Sequence, residues 1–241
     1  MPEVSGWLVP VLIAVLTGAA FFPALENGFV DWDDEKTLLD NPNYRGLGWD
    51  QLRWMFTTFY MGHYQPLSWM TFGLDYLLWG IDPFGYHLTN LLLHTANAVL
   101  FYFLTLRLLS LPARAVPGEF ALQVAAGFAA LVFALHPLRV ESVAWVTERR
   151  DVLSAFFLLW TILCYLRATA GAEGDSARWR WLSAAVIVYG LSLLSKAGGI
   201  TLPVVLLVLD VYPLRRLGVE AGKWFGPAAR QVWWEKVPFS S

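Results

Sequence analysis

The sequence predicts an all-α, polytopic membrane bundle of about six crossings, with interfacial helices in its first outer loop. Three observations carry this. Of 241 residues, 57% are hydrophobic and only 15% are charged, whereas about a quarter of a soluble domain is charged. Several stretches lack Asp, Glu, Lys and Arg for close to the ~20 residues that a helix needs to cross the hydrocarbon core. Aromatic residues make up 16% of the chain and crowd into one segment, as an interface belt requires. Mean hydropathy is +0.49. The single cysteine, Cys164, excludes a disulfide framework or a Cys-based zinc site. A net charge of −2 gives no basis for nucleic-acid binding.

The predicted crossings follow in order. Residues 4–25, 83–106 and 120–138 form uncharged runs of 22, 24 and 19 residues. Residues 152–166 and 181–195 give 15 each, and residues 197–214 give 18 broken only by Asp210. Arg150, Arg167, Arg180 and Lys196 flank the two short runs, and their long stems reach the headgroups and extend the usable length. A competing reading makes the first run a cleaved signal peptide ending near Gly18-Ala19-Ala20. The lack of Lys and Arg before it, and its length, favour a span.

Residues 54–74 are also uncharged, yet they contain Gly62, His63, Gln65 and Pro66, and twelve aromatics crowd residues 49–86. Helices lying in the interface are expected there. Charge agrees: six spans with an internal N-terminus leave 10 of the 17 Lys and Arg inside, including Arg114 and Lys223, whereas a seventh span leaves 4. One module over residues 1–241 is expected, with a first outer loop at 26–85 and a cytoplasmic segment at 215–241.

Within that loop, residues 26–82 hold nine acidic against three basic residues. Asp31, Asp33, Asp34 and Glu35 follow directly on the first run. Crowded carboxylates raise one another's proton affinity, so a member of the group suits a general base or a metal ligand. The plainer reading is a solvated acidic cap. A second charged stretch runs from His136 to Asp151. Read as one helix from residue 141, it sets Glu141, Trp145, Glu148 and Asp151 on one face, with Arg149 off it. Its arginines suit lipid headgroups or carboxylates, or a fork of donors for a phosphate. Lys196 falls between two apolar runs beside Ala197-Gly198-Gly199, where it reaches water or a partner. Asn90 and His94 are expected in interhelical hydrogen bonds, and Asp210 is expected to pair with Arg215 or Arg216.

In this order, several stretches resemble the membrane half of the transmembrane and TPR repeat-containing family of O-mannosyltransferases and its bacterial relatives. They are FVDWDD from Phe29, YQPLSWMTFGLDYLLWG from Tyr64, GYHLTNLLLHTANAVL from Gly85, LVFALHPLRVESVAWVTERRDVLS from Leu131 and LLSKAGGITLPVVLLVLDVYPL from Leu193. The third-to-fourth-span block is the most specific.

The resemblance implies a GT-C fold and transfer of a sugar, mannose or another hexose, from a polyprenyl-phosphate carrier to a protein or glycan hydroxyl on the outer face of a bacterial inner membrane. By the same resemblance, Asp33 or Asp34 is the base. Arg149, Arg150, Lys196 and His136 hold the phosphate, Glu141 and Asp151 orient them, and Tyr64 and Trp69 wall the donor cleft. No cofactor is assigned, and a divalent metal stays open. Gln65 and Ala197 depart from the family pattern of Arg and an acidic residue. No 34-residue helical repeat is present, which makes truncation the expectation. A rival class is a catalytically silent membrane assembly or transport component.

Overall fold

A computed structural model describes residues 6–111, 118–171, 176–218 and 224–239. The first two residues of the run at 4–25, and Arg114 and Lys223 of the charge count, lie outside the described residues. Among the described residues ten α-helices follow in order: α1 (Leu8–Phe21), α2 (Trp49–Thr57), α3 (Pro66–Trp79), α4 (Pro83–Ser110), α5 (Glu119–Leu135), α6 (Arg139–Ala144), α7 (Arg149–Thr169), α8 (Ser176–Ser195), α9 (Leu202–Val211) and α10 (Pro227–Lys236). Among the described residues there is no strand, only an isolated bridge between Tyr60 and His63.

Local chemistry sets several boundaries. Proline opens α3, α4 and α10, where its missing N–H costs nothing. The Asp82 carboxylate caps α4 by accepting the Phe84 N–H at 3.0 Å. Gly80, at φ 65°, ends α3. The uncharged run at 54–74 is split by the Tyr60–His63 turn, where Met61 and Gly62 take positive φ. It therefore yields α2 and α3, of 9 and 14 residues, both short of a crossing.

Length and composition qualify three segments among the described residues as crossings: Leu8–Glu26, which extends α1, then Pro83–Ser110, which is α4, and Val146–Thr169, which contains α7. Helix α5 and the segment Ala197–Val211 are apolar but shorter. Helix α8 has 20 residues but carries Arg178 and Arg180 near its start. Six helical segments thus stand where six crossings are expected, and three have the required length and apolarity.

Helix α4 is the axle. On one side it packs with α1 and α5 around Ile13, Ala98, Tyr102, Ala126 and Ala130. On another it meets α7, which packs against α8 and α9 around Leu104, Ile162, Tyr165, Leu182 and Leu206. The alanines on α5 let the backbones approach closely, the usual device where lipid removes the hydrophobic drive between helices. Large apolar side chains on the outer faces of α1, α5 and α9, such as Val11, Phe128 and Val204, are exposed, the surface a bilayer would cover.

A third cluster lies at the N-terminal end of α4. Tyr44, Met55, Trp69, Phe72 and Tyr86 bury one another there with Val146. Gly73 is required: a Cβ would sit 2.5 Å from the Gly46 carbonyl oxygen and 2.9 Å from that of Tyr44.

Candidate functional site

The stretch from residue 139 is not one helix. Helix α6 ends at Ala144, Trp145 is extended at φ −95° and ψ 118°, and a 3-10 turn, Val146–Glu148, leads into α7. The expected common face of Glu141, Trp145, Glu148 and Asp151 is lost. A break inside a buried segment leaves carbonyls without partners, and these must be satisfied. Asn90 of α4 does so for Val143 O, its side-chain amide donating at 3.3 Å, and it also donates at 3.2 Å to Trp145 O, which accepts the Glu148 N–H as well.

The same asparagine offers its Oδ1 to Arg149 Nε at 2.7 Å. Arg149 is fully buried. Its Nη2 donates to Tyr86 O at 2.7 Å, its Nη1 pairs with Asp75 of α3, and its guanidinium lies 4.5 Å from the Phe72 ring centroid. Burial raises the Asp75 carboxyl above its usual range, with Arg149 and the Thr89 hydroxyl opposing. Arg149 therefore departs from its expected role. Each of its three nitrogens donates to a protein partner and the side chain is fully buried, so it fastens α3, α4 and α7 together and presents no donor to a phosphate.

Asp34 is also fully buried. Its Oδ2 accepts the Val30 N–H at 3.0 Å. Its Oδ1 accepts the Thr147 N–H at 3.0 Å and also the Thr147 hydroxyl. This carboxylate joins the first outer loop to the α6–α7 break, and as a base it would have to surrender those bonds. The neighbouring Asp33 is half-buried, and among the described residues its side chain makes no hydrogen bond or ion pair.

Charges that the sequence placed far apart meet at the start of α7. Glu148 is buried and takes both Arg150 and Lys196, the latter at 3.3 Å. Lys196 pairs with Asp151 too, and both side chains remain about a third exposed, at 36% and 35%. His63, exposed at the Tyr60–His63 turn, feels four charges, those of Arg150, Lys196, Glu148 and Asp33. Burial lowers its affinity for a proton first, then the positive charges of Arg150 and Lys196, while Glu148 and Asp33 pull the other way. The Ser68 hydroxyl donates to Ser195 O at 3.0 Å and holds α3 beside Lys196.

Next to this cluster is a cavity of about 400 Å³ lined by Lys196, Asp151, Arg139, Ser142, Gly198 and Gly199 among others. Polar groups thus face a concave space between helix ends, the usual setting of a ligand site.

Other expected residues fall elsewhere. His136 is exposed at the α5–α6 turn, where its Nδ1 accepts the Leu138 N–H at 3.2 Å. Glu141 is exposed, and its side chain makes no hydrogen bond among the described residues. Trp69 is 1% exposed within the aromatic cluster and walls no cleft. Tyr64 donates its hydroxyl to Phe56 O at 3.1 Å and packs on Phe59. Asn90 and His94 make the expected interhelical bonds, His94 Nε2 lying 2.9 Å from Ala134 O. Asp210 meets Arg216 at 3.0 Å. No group of three or more His, Cys, Asp or Glu suited to a metal ion is found among the described residues.

Sequence reasoning missed Asp75, His63 and Thr147. Asp75 had a signal, being the only charge in α3, and a lone charge in an apolar helix needs a partner. Thr147 had none, because its importance depends on a residue 113 positions away.

Known proteins resemble this chain as follows. It is 35% identical over 154 residues to Protein O-mannosyl-transferase tmtc2 of Xenopus laevis, covering 64% of this chain and 17% of that protein. It is 29% identical over 214 residues to Protein O-mannosyl-transferase TMTC3 of Homo sapiens, covering 85% and 21%. It is 33% identical over 202 residues to Protein O-mannosyl-transferase Tmtc2 of Drosophila melanogaster, covering 79% and 20%. The chain thus spans about a fifth of the length of these relatives. No family model matches the chain. No solved structure matches it.

Proposed function

The chain belongs to the protein O-mannosyl-transferase family of these relatives, and from that premise we propose that it forms a GT-C-type module moving mannose or another hexose from a polyprenyl phosphate to a hydroxyl of a protein acceptor. In this reading six helices cross a bacterial inner membrane with the N-terminus in the cytoplasm. The loop bearing Asp33 then lies on the outer face.

The reaction needs two things at headgroup depth: an acceptor for the hydroxyl proton, and fixed cations for the departing phosphate. Asp33 is assigned the first task. It takes the proton as the hydroxyl oxygen attacks the anomeric carbon and the bond from that carbon to the phosphate oxygen breaks, inverting the sugar. Arg150 and Lys196 stabilise the charge that collects on the polyprenyl phosphate. His63, whose proton affinity is lowered by burial and then by Arg150 and Lys196, is a polar wall between base and cations. Glu148 and Asp151 fix where the two cations point. Asp34, Asn90, Asp75 and Arg149 hold the frame.

The single observation behind this reading is the Asp34–Thr147 connection. It ties the residue beside Asp33 to the segment that leads into Arg150. The test is transfer from polyprenyl-phosphate mannose to a protein acceptor, measured in membranes containing the wild type or Asp33→Asn. Loss of transfer with unchanged abundance supports the assignment. Full transfer by the variant removes Asp33 as the base and favours a non-catalytic membrane role.

A further inference from the structure

At the far ends of α4 and α7 lies a second site that sugar transfer does not use. Each helix carries an arginine in its last turn, Arg107 on α4 and Arg167 on α7. Both are exposed, and neither has a carboxylate partner among the described residues. The Arg167 guanidinium lies 5.7 Å from the centroid of the Trp181 ring. These three side chains line two adjoining hollows. One, of about 380 Å³, is bordered by polar groups at the helix ends. The other, of about 450 Å³, runs between α4 and α7 over Leu100, Trp160 and Leu163. A basic mouth therefore opens onto an apolar groove.

The depth of this site follows from helix geometry. Tyr86 O and Arg149 Nη2 meet at the opposite end of the same helix pair, 2.7 Å apart. Arg107 is 21 residues beyond Tyr86 and Arg167 is 18 beyond Arg149, or about 32 Å and 27 Å at about 1.5 Å per residue. That is one hydrocarbon thickness. With Asp33 at one surface of the bilayer, Arg107 and Arg167 are at the other.

We propose that Arg107, Arg167 and Trp181 bind an anionic glycerophospholipid of the leaflet opposite to Asp33, its phosphate held by the two guanidiniums and one acyl chain lying in the α4–α7 groove. Charge complementarity selects the occupant. Two guanidiniums at headgroup depth, without a carboxylate partner among the described residues, attract a phosphate-bearing head with net negative charge, and the groove beneath them is lined mainly by apolar side chains. The inference requires that α4 and α7 cross the bilayer, and it does not depend on the sugar-transfer reading.

Native mass spectrometry of the full chain, titrated separately with phosphatidylglycerol and phosphatidylcholine, tests it. The wild type should retain phosphatidylglycerol preferentially. A photoreactive phosphatidylglycerol should label peptides carrying Trp160 or Leu163. Removing Arg107 or Arg167 as alanine should weaken phosphatidylglycerol binding roughly fivefold each, the factor matching about 1 kcal/mol per basic residue. Phosphatidylcholine binding should not change. Arg180→Ala, which removes an exposed charge from α8 outside the hollows, should alter neither. Equal retention of the two lipids by the wild type, or labelling confined to other helices, overturns the proposal without any variant having to fold. An equal loss on Arg180→Ala reduces the effect to general surface charge and overturns it too, as does arginine-dependent binding of a polyprenyl phosphate with none of phosphatidylglycerol.

Discussion

Asp34 and Thr147 lie 113 residues apart in the chain, and one carboxylate oxygen of Asp34 accepts both the backbone N–H and the hydroxyl of Thr147. Adjacent aspartates therefore have opposite fates. Asp34 is consumed in holding two loops together, and Asp33 is left half-buried, its oxygens unengaged among the described residues. Replacing each in turn separates fold from chemistry. Asp34→Ala should lower stability by about 3 kcal/mol, since it strands the backbone and hydroxyl donors of buried Thr147 and also releases the Val30 N–H. Asp33→Asn should leave thermal unfolding in detergent unmoved and cut transfer by about a hundredfold or more. Equal destabilisation by both substitutions would contradict this division.

Arg149 bridges three helices through Asp75, Asn90 and the Tyr86 carbonyl. Breaking a buried pair by removing one member leaves the other charge uncompensated, at about 3–5 kcal/mol. Arg149→Ala is accordingly expected to deplete folded protein, and Arg149→Lys to rescue it poorly because an ammonium cannot reproduce the fork. A double-mutant cycle with Asp75→Asn should give a coupling of about 1 kcal/mol or more. A coupling near zero would mean that the two groups act independently.

Lys196 and Asp151 are each about a third exposed, so their pairing adds little stability. Lys196→Ala should hold the unfolding temperature within a degree or two of wild type and raise KM for the polyprenyl-phosphate donor. Kinetics at saturating acceptor distinguish this from a loss confined to kcat.

His63 provides a readout of the cluster that does not depend on turnover. Its proton affinity is lowered by burial, then by Arg150 and Lys196. Arg150→Gln removes one repelling cation and also releases Glu148, which attracts the proton, so both changes act upward. NMR titration of the His63 ring should show its pKa rising toward the ordinary histidine value of 6.5, while burial keeps the recovery partial. An unchanged titration would place Arg150 too far away to matter.

At the opposite end, Arg178 and Arg216 both pair with Glu235, and Asp210 receives Arg216 and also Lys236, the latter at 2.5 Å. Glu235→Ala leaves two arginines short of a partner and should release α10 from α8, with a loss of about 3 kcal/mol. Limited proteolysis near residue 224 checks this, since a docked α10 protects that segment.

The sequence alone determined the class of the molecule. Long uncharged runs require helices because unsatisfied backbone is costly in lipid, and His63, Gln65 and Pro66 argued correctly that residues 54–74 are not one crossing helix. Order along the chain also marked the two loops that carry the charges and the family they resemble. What tertiary structure decided was which charges remain available. Asp33 and Asp34, or Arg149 and Arg150, are neighbours of identical type, and no local pattern says which member of each pair turns inward. That choice depends on distant partners: Thr147 claims Asp34, and Asp75, Asn90 and the Tyr86 carbonyl claim Arg149. The break at Trp145 has the same origin. The Val143 carbonyl exposed by the break is tolerated because Asn90, more than 50 residues earlier, is positioned by α4 to donate to it.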